Sequence, residues 1–171
     1  GDDLLFFGRI HPDKGTARAI EVAAAAGRRL VIAGIIQDQR YFERAVAPHI
    51  DGDAVRYVGP VLAADRTAVL GRAHALLHLI DFDEPFGYSV VEAMACGTPV
   101  IAHDRGSMAE LVTAGSGFLV DGVEEAVTAV DAAGSLDRQA IRAATVGRFD
   151  RATMVAKYVA VYRDVLAGRD R

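Results

Sequence analysis

Short, continuous apolar runs alternate with amphipathic segments along most of the chain, and this alternation constrains the fold more than any other feature. The runs are residues 4–7, 30–33, 55–58, 75–79, 100–102 and 118–120, and they are apolar apart from Arg56 and His78. Helical patterns follow them at 16–26, 40–46, 65–72, 88–95 and 107–113. Continuous apolar runs are typical of strands that are covered on both faces of a parallel sheet. Strands that alternate with helices predict a doubly wound, three-layer α/β/α fold with a parallel sheet of about six strands.

The tail from about residue 124 contains helical patterns and no further strand, with breaks expected near Gly134 and Gly147. Tyr158 and Tyr162 are four residues apart on the last helix, so they share one face. The favoured interpretation is a stripe that packs against the core, and the alternative is a surface for a partner domain.

Length, charge and cysteine content narrow the class of protein. A chain of 171 residues suits one domain, and its net charge of −4 argues against a nucleic-acid surface. The single cysteine, Cys96, forms no internal disulfide and is expected to be a small buried residue. It fits a reducing compartment, so a cytoplasmic location is predicted. No apolar stretch reaches the ~18 residues of a membrane span.

Two cations follow the first predicted strand. Open parallel sheets bind ligands at the carboxyl ends of their strands, so the loops there are the first places to search for a site. Arg9 and Lys14 lie in the loop between the first strand and the first helix. A guanidinium fork, a compact ammonium and a helix N-terminus together suit a diphosphate. The alternative is that both are solvated loop charges.

Two carboxylates flank the start of the helix after the fourth strand. Glu84 lies in the loop, whereas Glu92 interrupts an otherwise apolar helical run, and Pro85 and Gly87 lie between them. Gly87 permits a tight turn and a close approach of a ligand to the backbone. A carboxylate in an apolar run is expected to be partly buried and therefore to need partners. Ribose hydroxyls are one candidate partner of Glu92, and a neighbouring charged side chain is the other.

Two further loops and a histidine pair carry weaker signals. The loop at 59–61 is either one wall of a base-binding slot, with Val61, or an ordinary turn. Ser107 and Glu110 have the spacing of a capping box. His74 and His78 lie in a strand-like run, where positions i and i+4 are about 13 Å apart, so no metal site is expected.

Five segments together resemble the C-terminal domain of retaining glycosyltransferases of family 4, which combine two Rossmann-like domains in the GT-B arrangement. These segments are GRI followed by KG at 8–15, EPFGYSVVE at 84–92, EAMACGTPVIA at 92–102, Gly106 with Glu110, and GFLV at 117–120. The resemblance spans residues 7–120, and its most specific part is the pair of glutamates with seven residues between them.

The resemblance implies roles for individual residues around a nucleotide-sugar donor, which would be a UDP-, GDP- or ADP-sugar bound without a metal. Arg9 and Lys14 would bind the diphosphate and, with Glu84, support catalysis. Glu92 would hold the ribose. The residues near the base and ribose would be Val61 and Val91, and those facing the transferred sugar would be Glu84, Phe86, Gly87 and Tyr88.

The resemblance also implies an organisation for the whole protein. Residues 1–171 would form one donor-binding domain, and the N-terminal, acceptor-side domain would lie outside this chain. That missing half would also decide any peripheral contact with a membrane. Two alternatives stay open: a nucleotide-sugar epimerase with the same architecture, and a non-catalytic nucleotide-binding domain.

Overall fold

A computed structural model of the protein describes residues 1–168. In that range the strands are β1 (Leu4–Phe7), β2 (Leu30–Ala33), β3 (Val55–Gly59), β4 (Leu76–His78), β5 (Val100–His103) and β6 (Gly117–Val120). The helices are α1 (Thr16–Ala25), α2 (Gln39–Tyr41), α3 (Ala63–Arg72), α4 (Tyr88–Ala95), α5 (Met108–Leu111), α6 (Val123–Ala133), α7 (Arg138–Phe149) and α8 (Arg151–Leu166). Helical turns at Pro12–Lys14, Phe42–Val46 and Ala47–His49 complete the described elements.

The strands form one parallel sheet in the order β3-β2-β1-β4-β5-β6. From β1 the chain moves outward to β2 and β3, then crosses back to place β4 on the other side of β1. The order therefore reverses between β1 and β4, which is where a doubly wound sheet opens a crevice for a ligand. The predicted three-layer α/β/α fold with its six-stranded parallel sheet is confirmed.

The inner strands β1, β2, β4 and β5 are covered on both faces, as their apolar runs predict, whereas the edge strand β3 exposes Arg56 and Val58. Leu4 points into one core layer with Ile20 of α1, whereas its neighbour Leu5 points into the other layer with Leu70 of α3 and Met94 of α4. Successive strand residues face opposite sides, so a strand covered on both sides has no polar face to reveal in its sequence.

The helical tail breaks at a capping residue rather than at its second glycine. α6 ends at Ala133, next to Gly134, as expected. α7 continues through Gly147 to Phe149, and α8 begins after Asp150, whose carboxylate accepts a 2.8 Å hydrogen bond from the backbone N–H of Thr153. An aspartate cap satisfies a free N–H at a helix start, whereas a glycine inside a helix costs only about 1 kcal/mol.

Cys96 is half-buried, not buried as expected. It follows Ala95, the last residue of α4, and packs against the same core layer as Leu5. Desolvation by burial raises the pKa of the Cys96 thiol, so the protonated form is favoured at neutral pH.

Within residues 1–168, no helix is both long and apolar enough to span a bilayer.

The last helix leaves its apolar side chains in solvent. Tyr158 is 57% exposed and Tyr162 is 61% exposed, and their ring centroids lie 6.3 Å apart. None of the residues of α8 is buried. The favoured interpretation of the tyrosines as a core-packing stripe is therefore wrong, because four-residue spacing puts two side chains on one face without saying what that face contacts.

Replacing Tyr158 by alanine is expected to leave the free energy of unfolding of this chain within about 0.5 kcal/mol of wild type, since exposed substitutions remove little packing. Urea unfolding followed by circular dichroism measures it. The comparison variant is Ile141→Val on α7, where Ile141 is 1% exposed, with an expected loss of about 1 kcal/mol. An equal or greater loss in Tyr158→Ala would show that the Tyr158 side chain packs on this domain.

Candidate functional site

The loop after β1 carries Arg9 and Lys14 to the switch point of the sheet. Gly8 ends the strand with a 3.0 Å hydrogen bond from its N–H to the carbonyl of Ala33. A helical turn at Pro12–Lys14 and a left-handed Gly15, with φ of 75°, then lead into α1. Arg9 donates a hydrogen bond to the side chain of Gln37. The short turn places Lys14 beside the loop that follows β4.

Lys14 and Glu84 form an ion pair across the switch point. The Lys14 Nζ lies 3.0 Å from Glu84 Oε2, with the two side chains 15% and 16% exposed. The same ammonium lies 4.2 Å from the ring centroid of Phe82, a cation–π contact. Glu84 is thus a compensated carboxylate, and Lys14 is held by a partner instead of being a solvated loop charge.

The loop after β5 fixes the backbone of the Glu84 loop. The Ser107 N–H donates to the Glu84 carbonyl at 2.9 Å, and the Ser107 hydroxyl donates to the Phe86 carbonyl at 2.9 Å. The capping-box prediction for Ser107 and Glu110 is wrong, because the Ser107 backbone is already helical and its side chain makes no cap hydrogen bond. The hydroxyl instead joins two loops of the site.

Glu92 pairs with a neighbouring charged side chain, which was one of the two partners predicted for it. It lies on α4, and its Oε1 accepts a 2.7 Å hydrogen bond from Nη1 of Arg66 on α3. The Arg66 guanidinium also lies 5.8 Å from the ring centroid of Phe7 at the end of β1. Sequence reasoning missed Arg66, although its position in the helix that precedes the fourth strand was a usable signal.

Five of the predicted site residues line one cleft of about 440 Å³, which is within the range of small-molecule sites. These residues are Arg9, Lys14, Glu84, Tyr88 and Glu92. The cleft also includes residues that sequence reasoning did not select, namely Phe6, Phe7, Gly8, Arg66, Leu77, His78 and Ser89. The cleft lies where the loops after β1 and β4 meet. The position of the charged side chains therefore coincides with the switch point given by the strand order.

The remaining predicted residues lie close to the cleft without lining it. Val61 and Val91 are partly buried against the core layer that contains Leu70. The Phe86 ring packs against the Tyr88 ring in a tilted arrangement, with 4.9 Å between ring centroids. Gly87 precedes α4 in the left-handed region at φ of 89°. The structure thus brings the charged members of the predicted site together and leaves the two valines partly buried against the core.

A buried histidine borders the cleft from β4. His78 is 7% exposed, and its Nε2 lies 4.0 Å from Glu84 Oε2 with no hydrogen-bond partner among the described residues. Burial lowers the pKa of His78 to about 4, so the imidazole is neutral at pH 7. The signal that could have found it is a polar residue at the end of an apolar strand.

The described side chains give no sign of a metal centre. Across residues 1–168, no group of three or more His, Cys, Asp or Glu side chains is arranged to hold an ion. His74 lies outside β4 and contacts the Val130 carbonyl at 2.9 Å, whereas His78 faces Glu84. That a substrate binds here without a metal stays a prediction.

The α4 helix adds backbone donors to the cleft. It begins after Gly87 with no side-chain cap, and Tyr88 and Ser89 of its first turn line the cleft. Helix N-termini present free N–H groups and the positive end of the helix dipole. Together with Arg9 and Lys14, they make this edge of the sheet suitable for an anionic group.

A six-stranded, doubly wound sheet with a charged cleft at its switch point defines the Rossmann-like class of α/β domains. Within that class, the chain matches the family described as Glycosyl transferases group 1 over residues 2–144. The chain belongs to this family, and its fold is that of the C-terminal domain of GT-B glycosyltransferases.

Individual relatives are similar over most of this chain. A D-inositol 3-phosphate glycosyltransferase from Acidothermus cellulolyticus is 35% identical, with 97% of this chain and 42% of the relative covered. A glycogen synthase from Mycobacterium tuberculosis is 33% identical, with 66% of this chain and 28% of the relative covered. The chain therefore spans less than half the length of these relatives.

Solved structures show the same fold. AviGT4, a glycosyltransferase involved in avilamycin A biosynthesis, superposes with a TM-score of 0.85 at 33% identity, covering 98% of this chain and 52% of that protein. Anabaena Alr3699/HepE, solved in complex with UDP and glucose, has a TM-score of 0.79 at 23% identity, covering 93% of this chain and 48% of that protein. About half of each solved chain thus has no counterpart here.

Proposed function

We propose that this chain is the donor-binding domain of a retaining glycosyltransferase of family 4, which transfers a sugar from a nucleoside-diphosphate sugar to an acceptor. The convergence of Arg9, Lys14, Glu84 and Glu92 on one cleft at the switch point carries the proposal. These side chains come from distant segments, and each has the chemistry that one part of such a donor requires. Membership of the Glycosyl transferases group 1 family supports it.

Arg9 and Lys14 would bind the diphosphate and stabilise it as it leaves. Breaking the anomeric bond places extra negative charge on the leaving nucleoside diphosphate. Once the donor is bound, two cations and the N-terminus of α4 would favour that charge without rearrangement during the reaction. No metal would be needed for this role, so the reaction would use the nucleotide-sugar donor and its acceptor without a cofactor. Retention of configuration at the anomeric carbon would follow if the acceptor attacks the face of the sugar from which the leaving group departs.

Glu84 would orient the transferred sugar and stabilise positive charge near its anomeric carbon. Its carboxylate lines the cleft and is largely buried, so a nearby charge acts through few water molecules. Tyr88 would form part of the sugar pocket directly. Phe86 and Gly87 would act by positioning this pocket, since the Phe86 ring packs against Tyr88 and Gly87 immediately precedes α4.

Glu92 would bind the ribose while keeping its contact with Arg66. A carboxylate has two oxygens and several acceptor positions, so it can accept hydrogen bonds from ribose hydroxyls and from a guanidinium together. Val61 and Val91 would support the base and ribose from behind, since both pack in the core layer next to α3 and α4. The base stays open between uracil, guanine and adenine, and the UDP held by HepE favours testing uracil first.

The acceptor site would lie on a second domain of the same protein. The chain covers 42% of its Acidothermus relative and 52% of AviGT4, which leaves room for a further domain of similar size. The exposed apolar side chains of α8, including Tyr158 and Tyr162, supply a surface on which that domain would rest. We also propose a cytoplasmic protein with no nucleic-acid partner, and any membrane contact would come from the other half.

Calorimetric titration of the purified chain with UDP, GDP and ADP, in the presence of a metal chelator, tests the proposal. One nucleotide is expected to bind with a Kd of about 10 µM to 1 mM, since half of the cleft is contributed by another domain. Failure of all three to bind at millimolar concentration would contradict a donor site on this chain. For the whole protein, release of a new nucleotide sugar without any acceptor would favour an epimerase instead.

Replacing Glu92 by alanine is expected to weaken binding of the preferred nucleotide by about 1 kcal/mol, roughly fivefold, because the ribose loses its acceptor. The loss should vanish when inorganic pyrophosphate replaces the nucleotide, since pyrophosphate has no ribose. Glu124→Ala, an exposed position on α6, is the matched control for the lost charge. Equal affinities of the Glu92→Ala and Glu124→Ala variants for the nucleotide would remove Glu92 from the site.

A further inference from the structure

A third side chain, that of His78, lies beside the Lys14–Glu84 ion pair, and the proposed function gives it no role. His78 comes from β4, and its Nε2 lies 4.0 Å from the same Glu84 oxygen that Lys14 contacts at 3.0 Å. This nitrogen is buried and has no hydrogen-bond partner among the described residues. A buried polar atom without a partner is costly, so its position beside a charged carboxylate calls for a physical reason.

We infer that His78 is a positioning residue, which becomes the hydrogen-bond partner of Glu84 when Lys14 turns from Glu84 to the diphosphate of the donor. The inference rests on the proposed function, because a diphosphate in the cleft is what draws Lys14 away. A diphosphate carries more negative charge than one carboxylate and therefore competes for the ammonium. Glu84 is 16% exposed, so it would then be a largely buried carboxylate in need of another donor.

The geometry allows His78 to meet that need with a small motion. Closing the separation from 4.0 Å to a hydrogen bond of about 3 Å requires only a side-chain adjustment of Glu84. A neutral imidazole can carry its proton on Nε2 and donate it to a carboxylate. Burial is the largest influence on His78 and lowers its pKa to about 4, so the imidazole is neutral at pH 7. The charge of Glu84 opposes this shift, whereas Lys14 and His103 add to it.

The exchange of partners has a consequence for the reaction. Lys14 neutralises Glu84 with a full positive charge, whereas a neutral imidazole orients the carboxylate and leaves its negative charge in place. Glu84 would thus acquire its full electrostatic effect on the sugar only when the diphosphate is bound. His78 would touch neither the diphosphate nor the sugar and would act through Glu84 alone.

The Lys14→Met variant of this chain tests the exchange without any nucleotide. Removing the ammonium should let His78 bond Glu84, and NMR of the 15N-labelled imidazole should show a slowly exchanging Nε2–H and a higher pKa of His78. Adding Glu84→Ala to Lys14→Met should abolish the slow N–H, because its acceptor is gone. Lys157→Met, at an exposed position on α8, removes the same charge and should leave His78 as in wild type. A rise in pKa without the slow N–H would reflect the lost charge alone and would overturn the inference.

Titration of the wild-type chain with UDP, GDP and ADP provides the second arm. The nucleotide that binds should produce the same His78 signals as Lys14→Met, and His78→Leu should weaken its binding by about tenfold, whereas His78→Gln, which keeps an N–H donor, should restore most of it. Binding with no change at His78 overturns the inference and leaves the proposed function standing. If no nucleotide binds, the proposed function fails, and the spectrum of Lys14→Met still decides whether His78 takes over Glu84.

Discussion

Replacing Arg9 by alanine is expected to weaken binding of the preferred nucleoside diphosphate by about 2 kcal/mol, or roughly 30-fold. Arg9 lines the cleft at the switch point, and its guanidinium can grip two phosphate oxygens at once. The side chain is exposed and bonds Gln37, so its loss removes a ligand contact without opening the core. Calorimetry of the chain with UDP, GDP and ADP measures the effect.

Two further variants separate the geometry of Arg9 from its charge. Arg9→Lys keeps the charge but loses the planar fork, so it should recover only part of the lost affinity. Arg44→Ala removes an equal charge from an exposed position in the helical turn after α2 and should bind nucleotide as wild type does. If Arg9→Ala and Arg44→Ala weaken binding equally, the contribution of Arg9 is a general effect of net charge.

Replacing Gly15 by alanine is expected to lower the free energy of unfolding by about 3 kcal/mol or more, for two reasons that add. Gly15 has φ of 75°, in the left-handed region that side chains rarely adopt. A Cβ there would also overlap the carbonyl group of Leu79, whose carbon would lie only 2.6 Å away. Backbone atoms cannot move aside cheaply, so the loop with Lys14 would have to leave the end of β4.

Gly27→Ala is the matched control for this stability measurement. Gly27 also lies in the left-handed region, at φ of 61°, but a Cβ there would meet nothing within 4 Å. Its expected cost is therefore the conformational term alone, about 1 to 2 kcal/mol. Urea unfolding of both variants gives the difference. Equal losses at the two positions would mean that the loop does not press against Leu79 in solution.

Local pattern was enough to predict the fold. Continuous apolar runs such as residues 4–7 and 100–102 report strands buried on two faces, and helical periodicity reports the segments that cover them. The search at the carboxyl ends of strands then selected Arg9, Lys14 and Glu84, because parallel strands bring those ends to one edge. This reasoning needs only short-range spacing and the rules of sheet topology.

Local pattern was not enough where the outcome depended on partners. The tyrosines at 158 and 162 share a face, yet they are exposed because none of the described residues covers that face of α8. Ser107 has the spacing of a cap, yet its hydroxyl bonds the Phe86 carbonyl because the loop after β4 lies within reach. Periodicity says which side chains share a face, and it contains no information on what that face meets.

The sequence by itself determined the doubly wound sheet and the charged residues at its switch point. Only the tertiary structure decided that Lys14 pairs with Glu84, 70 residues away along the chain, that Arg66 holds Glu92, and that His78 lies unbonded beside Glu84. Helix and strand preferences act over a few residues, whereas these contacts join segments that only the pairing of β1 with β4 and the packing of α3 on α4 bring together.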